Sequence, residues 1–197
     1  MEKHVPVPME KDLEKHSEGP PNRFSFFSSQ TQQVITSPTW DTLLPGHSLD
    51  QTISQEKAKG RPDPSHPLWW FDIRDASEEE VAQVSHALAI HPLTAEDIAM
   101  REAREKVDVF KNYYLISFQT LLSQGTNDER PHSPPSAVIY VLVFQYGVVT
   151  FSPSGCNHVP RVRERVRKMH DPAILSSDWI CYAMMYAPPE SADLSQH

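Results

Sequence analysis

Hydrophobic and polar positions change their period several times along this chain, and each change predicts an element. Behind three consecutive glutamates, Val81, Val84 and Leu88 recur at i, i+3 and i+7, the spacing of one apolar stripe on a helix. Ser77 and Glu80 supply a capping box at its start. A second, short helix is predicted from Thr94 as N-cap. Upstream, LWWFDI (68–73) reads as a buried strand between a Pro-rich loop and the turn RDAS. From Val107 the period drops to two: Tyr114, Ile116, Phe118 and Leu122 alternate, which predicts one long strand over 107–122. AVIYVLVF, QYG and VVTFSPS predict a β-hairpin whose near-continuous apolar run suits a strand covered on both faces. Over 158–170, Val159, Val162, Val166 and Met169 face one way on a helix. A last helix, DWICYAMMYA, is expected to be capped by Ser177 and stopped by Pro188 and Pro189. RFSFF (23–27) begins the folded part as a strand, and 36–53 reads as turns flanking a short helix. Strands with helices between and after them define an α/β fold, a mixed β-sheet covered by helices.

Polar stretches set the expected boundaries. Residues 1–22 mix charges and prolines with few large apolar side chains, so they are expected to stay disordered. The folded domain is then 23–187, with flexible loops near 55–67 and 123–136, and an unstructured tail over 188–197. The N-terminus has no apolar leader segment. The longest apolar run, VIYVLVF, is seven residues, whereas a membrane-spanning helix takes about 20. A soluble chain is the expectation.

Charge narrows the function classes. Lys and Arg number 18 against 26 acids, a net charge of −8. That balance disfavours nucleic-acid binding, which needs a basic footprint, and is compatible with attracting cations. Two cysteines, Cys156 and Cys181, without a CxxC, suit a reducing compartment better than a disulfide framework. The basic residues Arg161, Arg163, Arg165, Arg167 and Lys168 read as a solvated helix face opposite the valine stripe. His91, before Pro92, reads as a turn residue. No HExxH, GxSxG, P-loop or GxGxxG is present, and no nucleophile–base pair is visible, so an enzyme is not expected.

Glu96 and Asp97 carry the candidate chemistry. With Thr94 as cap, Asp97 would stand at the third helical position and answer its backbone amide. Both carboxylates would suit the positive end of the helix dipole. On the residues alone this helix-start role is favoured. The other reading is a hard cation such as Mg2+, which accepts one or two carboxylates while keeping much of its water.

The string WWFDIRDASEEEVAQVSHALAIHPLTAEDIAMREAREKVDVFKNYYLISFQTL resembles the cytoplasmic domain of CorA-type magnesium transporters. RFSFFSS (23–29), DTLLPGHSLDQTI (41–53), VVTFSPSG (148–155) and SSDWICYA (176–183) resemble its fungal-type branch, so the likeness runs over about 22–183 in family order. The resemblance implies a pentameric divalent-cation channel with a cytosolic α/β domain, a stalk helix, two membrane helices and a Gly-Met-Asn pore loop. It implies that Asp97 binds regulatory Mg2+ between neighbouring protomers, with Glu96 a weaker candidate, and that the bound ion favours the closed assembly.

After SSDWICYA such proteins continue into the stalk, whereas here the sequence reads MMYAPPESADLSQH. The expected function is therefore the Mg2+-sensing, regulatory domain of a CorA-type transporter, truncated before stalk and pore. It would be soluble and cytoplasmic as this chain, and membrane-associated only through segments missing from it. The alternative is a stand-alone soluble interaction module that associates with full-length relatives and does not transport.

Overall fold

The computed structural model describes residues 22–39, 43, 67–122, 136–169 and 174–186. Among these, seven strands form a single sheet: β1 (Phe24–Ser28), β2 (Gln33–Ser37), β3 (Trp69–Arg74), β4 (Lys106–Val109), β5 (Tyr113–Leu121), β6 (Ser136–Phe144) and β7 (Gly147–Ser152). Their spatial order is β2-β1-β3-β7-β6-β5-β4. The β3–β7 pair is parallel and the other pairs are antiparallel, so the sheet is mixed. Four helices among the described residues cover it: α1 (Glu78–Leu88), α2 (Pro92–Ala99), α3 (His158–Arg167) and α4 (Ser177–Met185).

Side chains alternate across a strand, so an apolar run in a central strand demands cover on both faces. Tyr140 and Leu142 of β6 join Phe71, Val149 and Phe151 in the core under α1 and α2. Ile139, Val141 and Val143 point the other way, into the core with Trp70, Val148 and the valines of α3. The VIYVLVF run is thus the middle layer of a three-layer domain.

The expected 107–122 strand is two strands. Phe110 N–H donates to the Tyr113 carbonyl at 2.9 Å, closing a tight reversal through Lys111 and Asn112 that puts Val109 opposite Tyr114. Strand β2 was not anticipated, because QVITS is mostly exposed on an outer edge and carries little apolar signal. Helix α4 is capped by Ser176, whose hydroxyl accepts from Trp179 N–H at 3.1 Å; Ser177 is the first helical residue and is buried. The basic face of α3 is not wholly solvated. Arg163 lies over the Trp70 ring, 5.2 Å from its centroid, and pairs with the buried Asp72 at 3.5 Å. Residues 1–21 of the tail expected over 1–22, almost all of the 55–67 and 123–136 loops, most of the 36–53 segment and the 188–197 tail lie outside the described residues.

At the β6–β7 turn, Gly147 lies so close to Trp69 that a Cβ would overlap the indole. That ring is itself packed against Phe144, 5.8 Å between centroids. Gly147→Ala is expected to destabilise the domain by about 1–3 kcal/mol, the cost of overpacking, seen as a lower Tm in a thermal melt. An unchanged Tm would show that the indole moves aside freely.

Candidate functional site: a carboxylate–lysine cluster

Helix α2 begins earlier than the sequence suggested. His91 is its N-cap, with Nδ1 accepting from Leu93 N–H at 3.2 Å, and Pro92 occupies the first turn, where its missing N–H costs nothing. Thr94 is therefore inside the helix, not at its cap, and is buried. The Tyr113 hydroxyl accepts from His91 N–H and donates to Thr94 Oγ1, both at 3.0 Å. Phe110 stacks between His91 and Tyr113, with centroids 5.3 and 4.7 Å away. The β4–β5 hairpin thus clamps the start of α2.

This shift changes the role of the two acids. Glu96 and Asp97 stand at the fifth and sixth helical positions, and the first turn holds no acid. Neither carboxylate caps the helix. Asp97 Oδ2 instead meets the ammonium of Lys106 at 2.5 Å, and Asp108 Oδ2 reaches the same ammonium at 3.1 Å. The hydrogen bond to Asp97 is the main cause that raises the Lys106 pKa above its ordinary value. Burial works against that rise and Asp108 adds to it. Glu96 is exposed and joins no ion pair among the described residues.

Lys106 and Asp108 were missed as site residues. They are two apart on β4, and a strand places such residues on one face, so the signal lay in KVD once the hairpin was recognised. The loop joining α2 to β4 is held from below. The Tyr140 hydroxyl lies 3.0 Å from the Asp97 carbonyl and 2.7 Å from that of Glu102. Burial, then the charges of Asp97 and Glu102, push the Tyr140 phenol up to about 12, with Lys106 and Arg101 opposing.

A raised phenol pKa means that the folded state holds the proton more tightly than the unfolded chain, whose tyrosines titrate near 10. Its contribution is complete below about pH 10 and is lost as pH rises through about 12. Tyr140→Phe is expected to flatten the fall in stability across that alkaline window, followed by urea unfolding at several pH values. A slope unchanged by the substitution would rule out this role.

Two carboxylate oxygens converging on one cationic atom fit, in part, the needs of a hard divalent cation, which completes its shell with water. Among the described residues no group of three or more His, Cys, Asp or Glu is placed to hold a metal ion. A cleft of about 250 Å³ beside the same loop is lined by Asp75, Arg101, Gln119, Tyr140 and Ser152. Its one carboxylate, Asp75, is taken up by the backbone N–H and hydroxyl of Ser154. Cys156 and Cys181 are free and buried.

The described residues form a three-layer, mixed-sheet α/β domain in which Asp97 and Asp108 share the Lys106 ammonium at a helix–hairpin junction. The CorA-like Mg2+ transporter protein family model matches residues 66–187, more than half of the chain. Two magnesium transporters of Saccharomyces cerevisiae, ALR2 and ALR1, are each 37% identical over 166 residues, 84% of this chain and 18% of theirs. The structure of the full-length CmaX protein superposes with a TM-score of 0.53 at 9% identity, covering 84% of this chain and 44% of that one, and shares the fold. The chain belongs to the CorA-like Mg2+ transporter family. It spans less than a fifth of the length of the two yeast transporters. No helix among the described residues is long and apolar enough to cross a membrane.

Proposed function

We propose that this chain is the Mg2+-sensing, regulatory domain of a CorA-type divalent-cation transporter, held on the cytoplasmic side of a membrane, with Asp97 as a ligand of the regulatory ion. The observation that carries this reading is the convergence of Asp97 and Asp108 on a single cation position at the protein surface. The similarity to two yeast magnesium transporters supports the choice of ion. A Mg2+ ion held through Asp97 draws most of its shell from water and from groups outside the chain. Such a site suits a contact between copies in a homo-oligomer, a pentamer by the family resemblance. Linkage then supplies the regulation: an ion that binds one arrangement of protomers better than another shifts the population toward it. Glu96, exposed one residue away, is the weaker candidate for the same ion.

Calorimetric titration of the chain with Mg2+ is expected to show weak binding that Asp97→Ala abolishes and Glu96→Ala reduces less. Binding unaffected by Asp97→Ala, with the circular dichroism of the variant unchanged, would overturn the assignment.

A further inference from the structure

The Lys106 ammonium occupies the point where Asp97 and Asp108 meet, so an external cation reaching Asp97 encounters a cation already in place. We infer that Lys106 is a tethered competitor for the divalent ion, which binds by displacing the ammonium from Asp97 and leaving it with Asp108. This rests on the reading of Asp97 as a Mg2+ ligand and adds the device that sets how much ion the site requires.

The geometry favours displacement over a fixed structural pair. Lys106 is anchored through its backbone, since β4 pairs with β5 and sets Lys106 opposite Ser117. Its side chain can swing but cannot leave, which gives the ammonium a high effective concentration at Asp97. Its two partners differ in exposure: the Asp97 side chain is 17% exposed and that of Asp108 42%. The outer carboxylate therefore offers the ammonium a place to stay, so displacement does not strand a charge. A divalent ion brings twice the charge of the ammonium to Asp97, and it prevails once its concentration offsets the tether.

Competition and mere positioning predict opposite signs. If Lys106 only aimed Asp97 at the ion, its loss would weaken binding. If it competes, its loss tightens binding. Mg2+ is titrated calorimetrically into the 197-residue chain as wild type, Lys106→Met, Lys111→Met and the double variant Asp97→Asn/Lys106→Met. Lys106→Met is expected to bind about ten-fold tighter. Lys111→Met removes the same charge from the exposed hairpin turn and is expected to change affinity by no more than about two-fold. The gain should vanish in the double variant. Lys106→Gln serves in place of Lys106→Met if the thermal melt shows that the latter does not fold. Asp97-dependent binding in the wild type with equal or weaker binding on loss of Lys106 overturns the competitor role and leaves the Asp97 reading standing. Absence of Asp97-dependent binding from both the wild type and the Lys106 variant overturns the Asp97 reading, and the competitor role with it.

Discussion

Arg163→Ala is expected to cost about 3–5 kcal/mol, because it leaves the charge of Asp72 buried without its counter-ion. The Asp72 side chain is only 1% exposed and sits in the middle of the sheet. Thr150 and Ser152 hydroxyls donate to its Oδ1 at 2.6 and 3.0 Å, which satisfies one oxygen and leaves Arg163 as the ion-pair partner of the other. Arg163 also donates to Ser25 on β1, so a single guanidinium ties α3 to β1 and β3. Removing both charges behaves differently. Asp72→Leu/Arg163→Met is expected to recover much of the loss, since apolar groups of similar volume often replace a buried pair without penalty. Urea unfolding of the single and double variants reads both effects. A loss below about 1 kcal/mol for Arg163→Ala would place the pair among solvated surface ion pairs.

Trp70→Ala is the second large effect, about 3–5 kcal/mol from the lost burial and the cavity left behind. Its indole is fully buried, donates from Nε1 to Thr150 Oγ1 at 3.2 Å, and forms the surface on which the Arg163 guanidinium lies. Because Trp70, Thr150, Asp72 and Arg163 share partners, the Trp70 and Arg163 losses should not add. Residues in one hydrogen-bonded network couple by about 0.5–3 kcal/mol. Additive losses in the double variant would show that the ring and the guanidinium act independently.

Much of this architecture was legible in the sequence, for identifiable reasons. The α1 stripe, its capping box and the two-faced apolar run of β6 are strong local signals that tertiary packing reinforces. The places where the reading failed share a cause: the deciding partner lay elsewhere in the chain. Thr94 matched an N-cap pattern, but Tyr113 draws it inward and a histidine takes the cap. The tight reversal through Lys111 and Asn112 let alternation on β5 be extended back through β4. Arg163 flanks the valine stripe and looked solvated, although an acid inside LWWFDI was a sign that some cation must be buried with it. Asp97 was picked out as a candidate, but its contact with Lys106 depends on how the hairpin folds back on α2, which no local pattern encodes.

The proposed role of Asp97 in sensing Mg2+ is tested most directly by isotope-edited NMR during a Mg2+ titration. Binding through Asp97 is expected to give saturable shifts centred on the amides of α2 from Ala95 to Ala99 and on Lys106–Asp108 of β4, all lost in Asp97→Ala. Shifts that leave this junction untouched, or that survive the substitution, would contradict it.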